Sequence, residues 1–478
     1  MRKFILKFTA ISFILIAILF RVELIEAWNP LDSNHQFIYA RWNALYDLTE
    51  KEEIDILLMG NSRVYRGINP KLLSTATSTI SFVLGAPGTT LQDTYFSFKE
   101  ILKRTTPKLL IIETYCINGF EYTSSSSVTS IFKSFNAKKD FESKVLSTPY
   151  LFHINHWPFA WMNSIRNHNY IFDDKQDLKK NIKDHPKVVE QITRGKDNKY
   201  MGKYNLYLGK FSGGKGLQDD ILTKYEQDGA PADMAKRRIS DINKYYLIKL
   251  DELCRENNVE LAFLTIPVYY KHLKNYNQFR KKLEAQIYPL ERKWLDLQDD
   301  YDTNFFTTEH FDNTYSSNQH TTAAGSYACT KKLVDFVKIE FPDILPDKSK
   351  DKNWHKLFYG SENYFLHYTV NEADKKNKIL FKDVMLNEIL IEECGFAITS
   401  PKYIFMWAKL KREDLAADYM DSKTLRMLAI VNIKGENKKV TLELAYKPYY
   451  SDDNYFIFSG YLKPMEIVQI IQVKLHSK

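Results

Sequence analysis

An α/β domain with a long insertion, followed by a smaller all-β unit, is the fold class that three features of this sequence predict. Strand-like and helix-like segments alternate between residues 54 and 339, the apolar period changes to two beyond residue 346, and the first strand breaks off sharply at Gly60-Asn61-Ser62-Arg63. Strands separated by helices form right-handed βαβ units and a mostly parallel sheet, whose ligands bind at the carboxyl ends of the strands. Ser62 falls on the turn at such an end, where a nucleophile belongs. The same Gly-Asn-Ser sequence also suits an ordinary strand-to-helix turn, with glycine taking an unusual backbone angle and Asn or Ser capping a helix.

Taken in order, residues 34–48 read as a short amphipathic connecting segment. Strands follow at 54–59, 79–84 and 108–113, with helices at 70–76 and 91–103. From 114 to 230 the pattern loosens into an insertion with helices of its own, expected to lie over the carboxyl ends of the strands. The rhythm resumes where Ile239, Ile242, Tyr246, Leu250 and Leu253 mark the buried face of a helix. A strand at 259–266 is stopped by Pro267, then come a helix at 276–293, a short strand at 294–297 and a closing helix at 323–339. The charged, proline-bearing stretch 341–354 reads as a linker. Strand-like runs at 425–433 and 438–446 flank the hairpin signal Gly435-Glu436-Asn437, and 455–458 and 466–473 alternate similarly. The domain boundaries expected are 1–27, 28–345 and 346–478, the last a sandwich-like antiparallel unit.

The chain has 478 residues, 44% of them hydrophobic and 26% charged, which is ordinary globular composition. Its net charge of +8 is interleaved with acidic residues, leaving no concentrated basic groove and excluding nucleic acid as the expected partner. Aromatic residues, at 14%, suit carbohydrate contact surfaces and packed β-structure alike. At the amino terminus, Arg2, Lys3 and Lys7 accompany an apolar run over 4–20, with no small-x-small cleavage site behind it. That pattern predicts an uncleaved signal anchor with its amino end in the cytoplasm and the rest exported; a buried amino-terminal helix is the alternative. Cys116, Cys254, Cys329 and Cys394 are too scattered for a disulfide framework and lack metal-ligand spacing, although export permits a bridge.

A hydroxyl nucleophile needs a base within hydrogen-bond reach and a group that orients that base. His320, in Ser317-Asn318-Gln319-His320, precedes the last helix of the sheet and therefore lies on the same edge as Ser62. Its alternative role is a helix cap with a solvent-facing imidazole. His153 and His156 form an H-x-x-H pair without an acidic partner, and Gly209–Gly216 nearly matches a phosphate-binding loop but ends in glycine where the magnesium-holding hydroxyl belongs. Asp296, Asp299 and Asp300 are carboxylates for a glycosidase-type pair, clustered in one surface-like run.

Gly60-Asn61-Ser62 near the start of an α/β domain, Gly85-Ala86-Pro87-Gly88 after the second strand, and His320 five residues before Gly325 together resemble the SGNH (GDSL-type) hydrolase superfamily. The Gly-Asn-Ser-Arg form, the anchor and the insertion are similar to its extracytoplasmic branch of DltD-like and polysaccharide O-acetylation proteins. The resemblance covers residues 50 to 340 and implies an SGNH-like three-layer domain. It implies Ser62 as nucleophile, His320 as general base, and the amides of Ser62 and Gly88 in the oxyanion hole, Gly88 being equally a turn glycine. Asn118 is the nearest counterpart of the family's oxyanion asparagine. The orienting Asp expected three residues before the histidine is Ser317, so Asp312, Asn318 or a carbonyl must take that role. The implied activity is a cofactor-free, metal-free acyl esterase or O-acyltransferase on cell-surface or secreted polysaccharide, with an acyl donor or membrane-bound acyltransferase as a further partner. The contrasting implication is a catalytically inactive glycan-binding or assembly component.

Overall fold

The computed structural model describes residues 33–118, 125–162, 232–270, 273–299, 305–311 and 320–351. It also describes the strands 377–386, 389–400, 403–411, 423–433, 436–446, 455–462 and 466–477, and six isolated positions. Five parallel strands form the first sheet: β1 Ile56–Gly60, β2 Ser81–Gly85, β3 Leu109–Glu113, β4 Glu260–Thr265 and β5 Lys293–Asp296, in the order β2-β1-β3-β4-β5. Every residue of β1, β2 and β3 is buried, as expected for near-continuous apolar runs covered on both faces.

Alternation along the strands divides the core. Leu57, Met59, Leu110 and Ile112 face a layer that includes the helices Ser33–Thr49, Leu91–Leu102, Ser125–Ala137 and Asp241–Glu256. Ile56, Leu58, Ile111 and Leu264 face the helices Ser62–Gly67, Pro70–Thr77 and Ala323–Glu340. The strand order reverses between β1 and β3, and in such sheets the crevice outside the carboxyl ends at that point is the ligand site.

Three expectations change. Residues 33–49 form a full helix in which Ile38, Trp42, Leu45 and Tyr46 are buried at three- and four-residue spacing, so it is a core element. The helix restarts at Ser62, giving a six-residue helix before the one at Pro70–Thr77. The insertion helices Ser125–Ala137 and Phe141–Leu151 contribute Ile131, Phe135 and Leu151 to the first core layer, beside the sheet, while residues 163–231 lie outside the described residues.

The expected linker is docked. Lys348 pairs with Asp55 at 2.8 Å and its amide donates to the Ser78 carbonyl, and Trp354, 2% exposed, donates its indole N–H to the Thr79 carbonyl at 2.7 Å.

Beyond it, β6 Asn377–Leu386, β7 Ile389–Ser400, β8 Tyr403–Lys411, β9 Lys423–Ile433, β10 Glu436–Tyr446, β11 Tyr455–Leu462 and β12 Glu466–Ser477 form one antiparallel sheet in the order β12-β9-β10-β11-β8-β7-β6. The hydrogen-bonded ladder runs through all seven strands. Among the described residues its three- and four-stranded halves join through Ala445↔Ser459 and Tyr446↔Phe458. Leu425 and its cross-strand partner Leu444 are buried in one half, Cys394 and its partner Ala408 in the other.

All four cysteines are buried, and none is in a disulfide. Among the described residues no helix is long and apolar enough to cross a membrane; the run 4–20 lies almost wholly outside them.

Candidate active site

The turn that carries Ser62 is built by close packing. Gly60 ends β1 at φ +154°, and a Cβ on it would lie 2.8 Å from the Glu113 Cβ at the end of β3. Glycine is therefore required twice, for the angle and for the approach. Asn61 then caps the helix Ser62–Gly67, its side chain accepting from the Arg63 amide at 2.9 Å. Gly85, ending β2, fits against the same turn: a Cβ there would meet Val64 Cγ1 at 2.7 Å and the Asn61 carbonyl at 2.9 Å.

His320 is brought to this turn from the far end of the domain. Its loop is held by a bridge between Phe311 and Thr321, and the Thr322 amide donates to the His310 carbonyl at 2.9 Å. The Thr321 hydroxyl donates to the Arg66 carbonyl at 3.2 Å, and the Asn69 amide to the Thr330 hydroxyl at 2.8 Å, locking the two helical ends together. The outcome is a Ser62 Oγ to His320 Nε2 distance of 2.7 Å across 258 residues of sequence. That is full hydrogen-bond reach for a nucleophile and its base.

The surroundings are strongly cationic. Arg63 is 6% exposed and stacks over Tyr115 with 3.6 Å from guanidinium to ring centroid. Arg41, fully buried and contributed by the helix Ser33–Thr49, donates to the Gly85 carbonyl and stacks on Tyr65 at 3.8 Å. Burial of the His320 imidazole, reinforced by Arg66 and Arg63, pushes its pKa down to about 3. The ring is therefore neutral at physiological pH and able to accept a proton.

Directly under the turn lies a carboxyl group whose role the sequence concealed. Glu113 is completely buried, and burial pushes its pKa up to about 7, against the opposing pull of the Arg63 charge and the Tyr115 and Ile266 amides. By geometry neither carboxyl oxygen has a hydrogen-bond partner. Nothing in a strand ending Leu-Ile-Ile-Glu announces this, because a terminal Glu normally reaches solvent. On the opposite flank, a small cleft beside Gly85 and Ala86 is lined by Arg41, Met59, Thr89 and Asp93, and Asp93 pairs with buried Lys138 at 3.0 Å.

The other sequence candidates fare differently. Gly88 occupies the turn after β2 at φ +67°, which accounts for the glycine by conformation. Asn118 ends the short helix Tyr115–Asn118, its side chain outside the description. Asp312, Ser317, Asn318, Asp300 and the cluster 209–216 all lie outside the described residues. Asp296 is engaged internally, both carboxylate oxygens accepting from the Tyr276 hydroxyl at 2.9 and 2.8 Å and one facing Arg280 at 3.3 Å. The His153 and His156 ring centroids are 6.4 Å apart, and among the described residues no group of three His, Cys, Asp or Glu could hold a metal ion.

No protein-family model and no curated protein matches the chain. Among solved structures it is similar to the tail fiber protein gp63.1 of an E. coli phage, at 7% identity and a TM-score of 0.25, over 91% of this chain and 48% of that one. The chain thus spans about half the length of that protein, and likeness at this level supports no argument about fold or function.

Proposed function

We propose that the chain is an SGNH-type serine acyl esterase or O-acyltransferase, held at the membrane by its amino-terminal run and acting outside the cytoplasm on a surface or secreted polysaccharide. The observation that carries the chemistry is the 2.7 Å contact between Ser62 Oγ and His320 Nε2 at the switch point of a parallel sheet. In this reading Ser62 attacks the acyl carbonyl while His320 takes its proton, and water or a sugar hydroxyl resolves the acyl-enzyme. On the same reading Arg63 and Arg66 oppose the imidazolium and favour the negative charge that develops on the tetrahedral intermediate. Acceptor and acyl group rest on the family resemblance and on the export reading.

A second reading has its own support. The imidazole lies far below the near-neutral pKa of an efficient base, and Ser317 stands where the family has a carboxylate. A chain with this site as a remnant would bind or assemble glycan without turning it over.

Fluorophosphonate treatment of the full chain separates the two. The acyl reading expects one covalent label, lost in Ser62→Ala and in His320→Ala while circular dichroism stays native. Native protein that takes no label sinks it and leaves the binding component.

A further inference from the structure

The helix Phe141–Leu151 is built largely inside out. Polar side chains take inward positions, Ser147 and Thr148 being 1% and 4% exposed, whereas Phe141, Val145, Leu146 and Tyr150 face outward at 46–68%. Ile154 and Trp157, just beyond, continue the outward series at 77% and 36%. The buried hydroxyls are satisfied internally: Ser147 and Thr148 donate to the Lys144 carbonyl at 3.2 and 2.7 Å, and Trp161 donates to Thr148 at 3.1 Å. A helix on the surface of a globular protein has the opposite polarity.

The apolar face extends to a second helix. Helix Leu91–Leu102 packs between Phe141–Leu151 and Asp241–Glu256, and its Phe96 ring meets Tyr150 at 5.5 Å and Tyr246 at 6.0 Å. Beside Tyr246, Ile242 and Tyr245 point outward at 45% and 52% exposure. Two helices thus expose one aromatic and aliphatic surface, the signature of an interaction site.

Its position says what covers it. Both helices belong to the layer that also holds the helix Ser33–Thr49, and only residues 21–32 separate that helix from the apolar run 4–20. Fully extended, twelve residues reach about 40 Å, so a run lodged in a bilayer keeps this layer near the lipid. The margin is charged and mixed in sign: Lys103 pairs with Asp140 at 2.6 Å and Glu142 at 2.8 Å, Lys249 pairs with Glu252 at 2.6 Å, and Lys139 reaches solvent between them.

We propose that the outer face of Phe141–Leu151, continued by Ile242 and Tyr245, lies in the lipid headgroup and acyl-chain boundary of the membrane that anchors the chain. The inference rests on the anchor reading and is independent of acyl chemistry, so its test reads depth and not turnover.

The full chain is reconstituted in phosphatidylcholine vesicles with a minority of phosphatidylglycerol, and nitroxides are placed at Leu146→Cys and Tyr245→Cys. The reference is Ile339→Cys, 73% exposed on the helix Ala323–Glu340 across the sheet; the four native cysteines are buried. Labels at 146 and 245 are expected to be open to oxygen and shielded from a nickel chelate, with the reverse at 339. Adding Leu146→Glu, a surface change that leaves the core intact, is expected to restore nickel access at 245. Nickel access at 146 equal to that at 339 overturns the proposal. Shielding from oxygen and nickel together also overturns it, because a protein partner or second copy then covers the face, and so does failure of the full chain to float with the vesicles. Fluorophosphonate labelling of the same samples reports separately on Ser62.

Discussion

Two carboxyl groups are buried on either flank of the turn that carries Ser62, and the protein treats them in opposite ways. Asp93 faces Lys138 at 3.0 Å, both side chains almost wholly out of solvent, with Lys138 also near the Trp42 ring. Glu113 has no hydrogen-bond partner on either oxygen and is pushed toward the protonated form by burial. A buried charge that is paired belongs to the scaffold. One left without bonds is tolerated where the surroundings over-determine its position, which is where functional sites tend to lie.

The sharpest way to break the comparison is to remove one partner from each flank. Lys138→Met strands the Asp93 carboxylate in the core and is expected to cost about 3–5 kcal/mol, most of it recovered by adding Asp93→Leu; urea midpoints of the single and double variants check this. Glu113→Gln is expected to act in the opposite direction. The folded-state pKa is raised from 4.5 to about 7, so the native state keeps its proton in that window while the unfolded chain releases it. The contribution of this group is therefore fully present below pH about 4.5 and lost as pH rises to about 7. The amide should leave stability unchanged at pH 4 and raise it at pH 8 by about 3 kcal/mol, and a destabilised variant at pH 8 would contradict the assignment.

Smaller changes sharpen the picture on the Ser62 side. Gly60→Ala should cost about 2 kcal/mol, by forcing a Cβ against Glu113 at an unfavourable φ, and should suppress fluorophosphonate labelling even where the fold survives. Asn61→Ala, which deletes only the cap, should cost about 1 kcal/mol by thermal melting and slow labelling without abolishing it. The smallest effect expected is none. With the imidazole already neutral from pH 5 to 8, the labelling rate should show no inflection near the ordinary histidine pKa of 6.5, and one there would mean that burial and the arginines do not govern His320.

What was legible in the sequence followed from local chemistry. The abrupt end of β1 at Gly60 and the histidine ahead of the last helix were enough to place Ser62 and His320 on one edge, and apolar runs located all five parallel strands to within two residues. What escaped depends on packing between distant segments. Glu113 reads as a strand end because only its contact with Gly60 shows that it is sealed in. Gly85 reads as one glycine of a loop, yet it is the one pressed against the turn that carries Ser62. The helix Phe141–Leu151 hid its polarity because Ser147 and Thr148 look like surface residues, and the docked stretch 341–354 looked free because Lys348 and Trp354 find partners nearly three hundred residues away.

That docking has a consequence for how the molecule can be divided. Asp55, Ser78 and Thr79, which hold Lys348 and Trp354, sit where β1 and β2 begin, at the end of the sheet away from the Ser62–His320 pair. The chain leaves for the β-rich half from the floor of the first domain, so a cut before Lys348 would strip Asp55 of its ion pair, whereas one just past Trp354 would keep both ties.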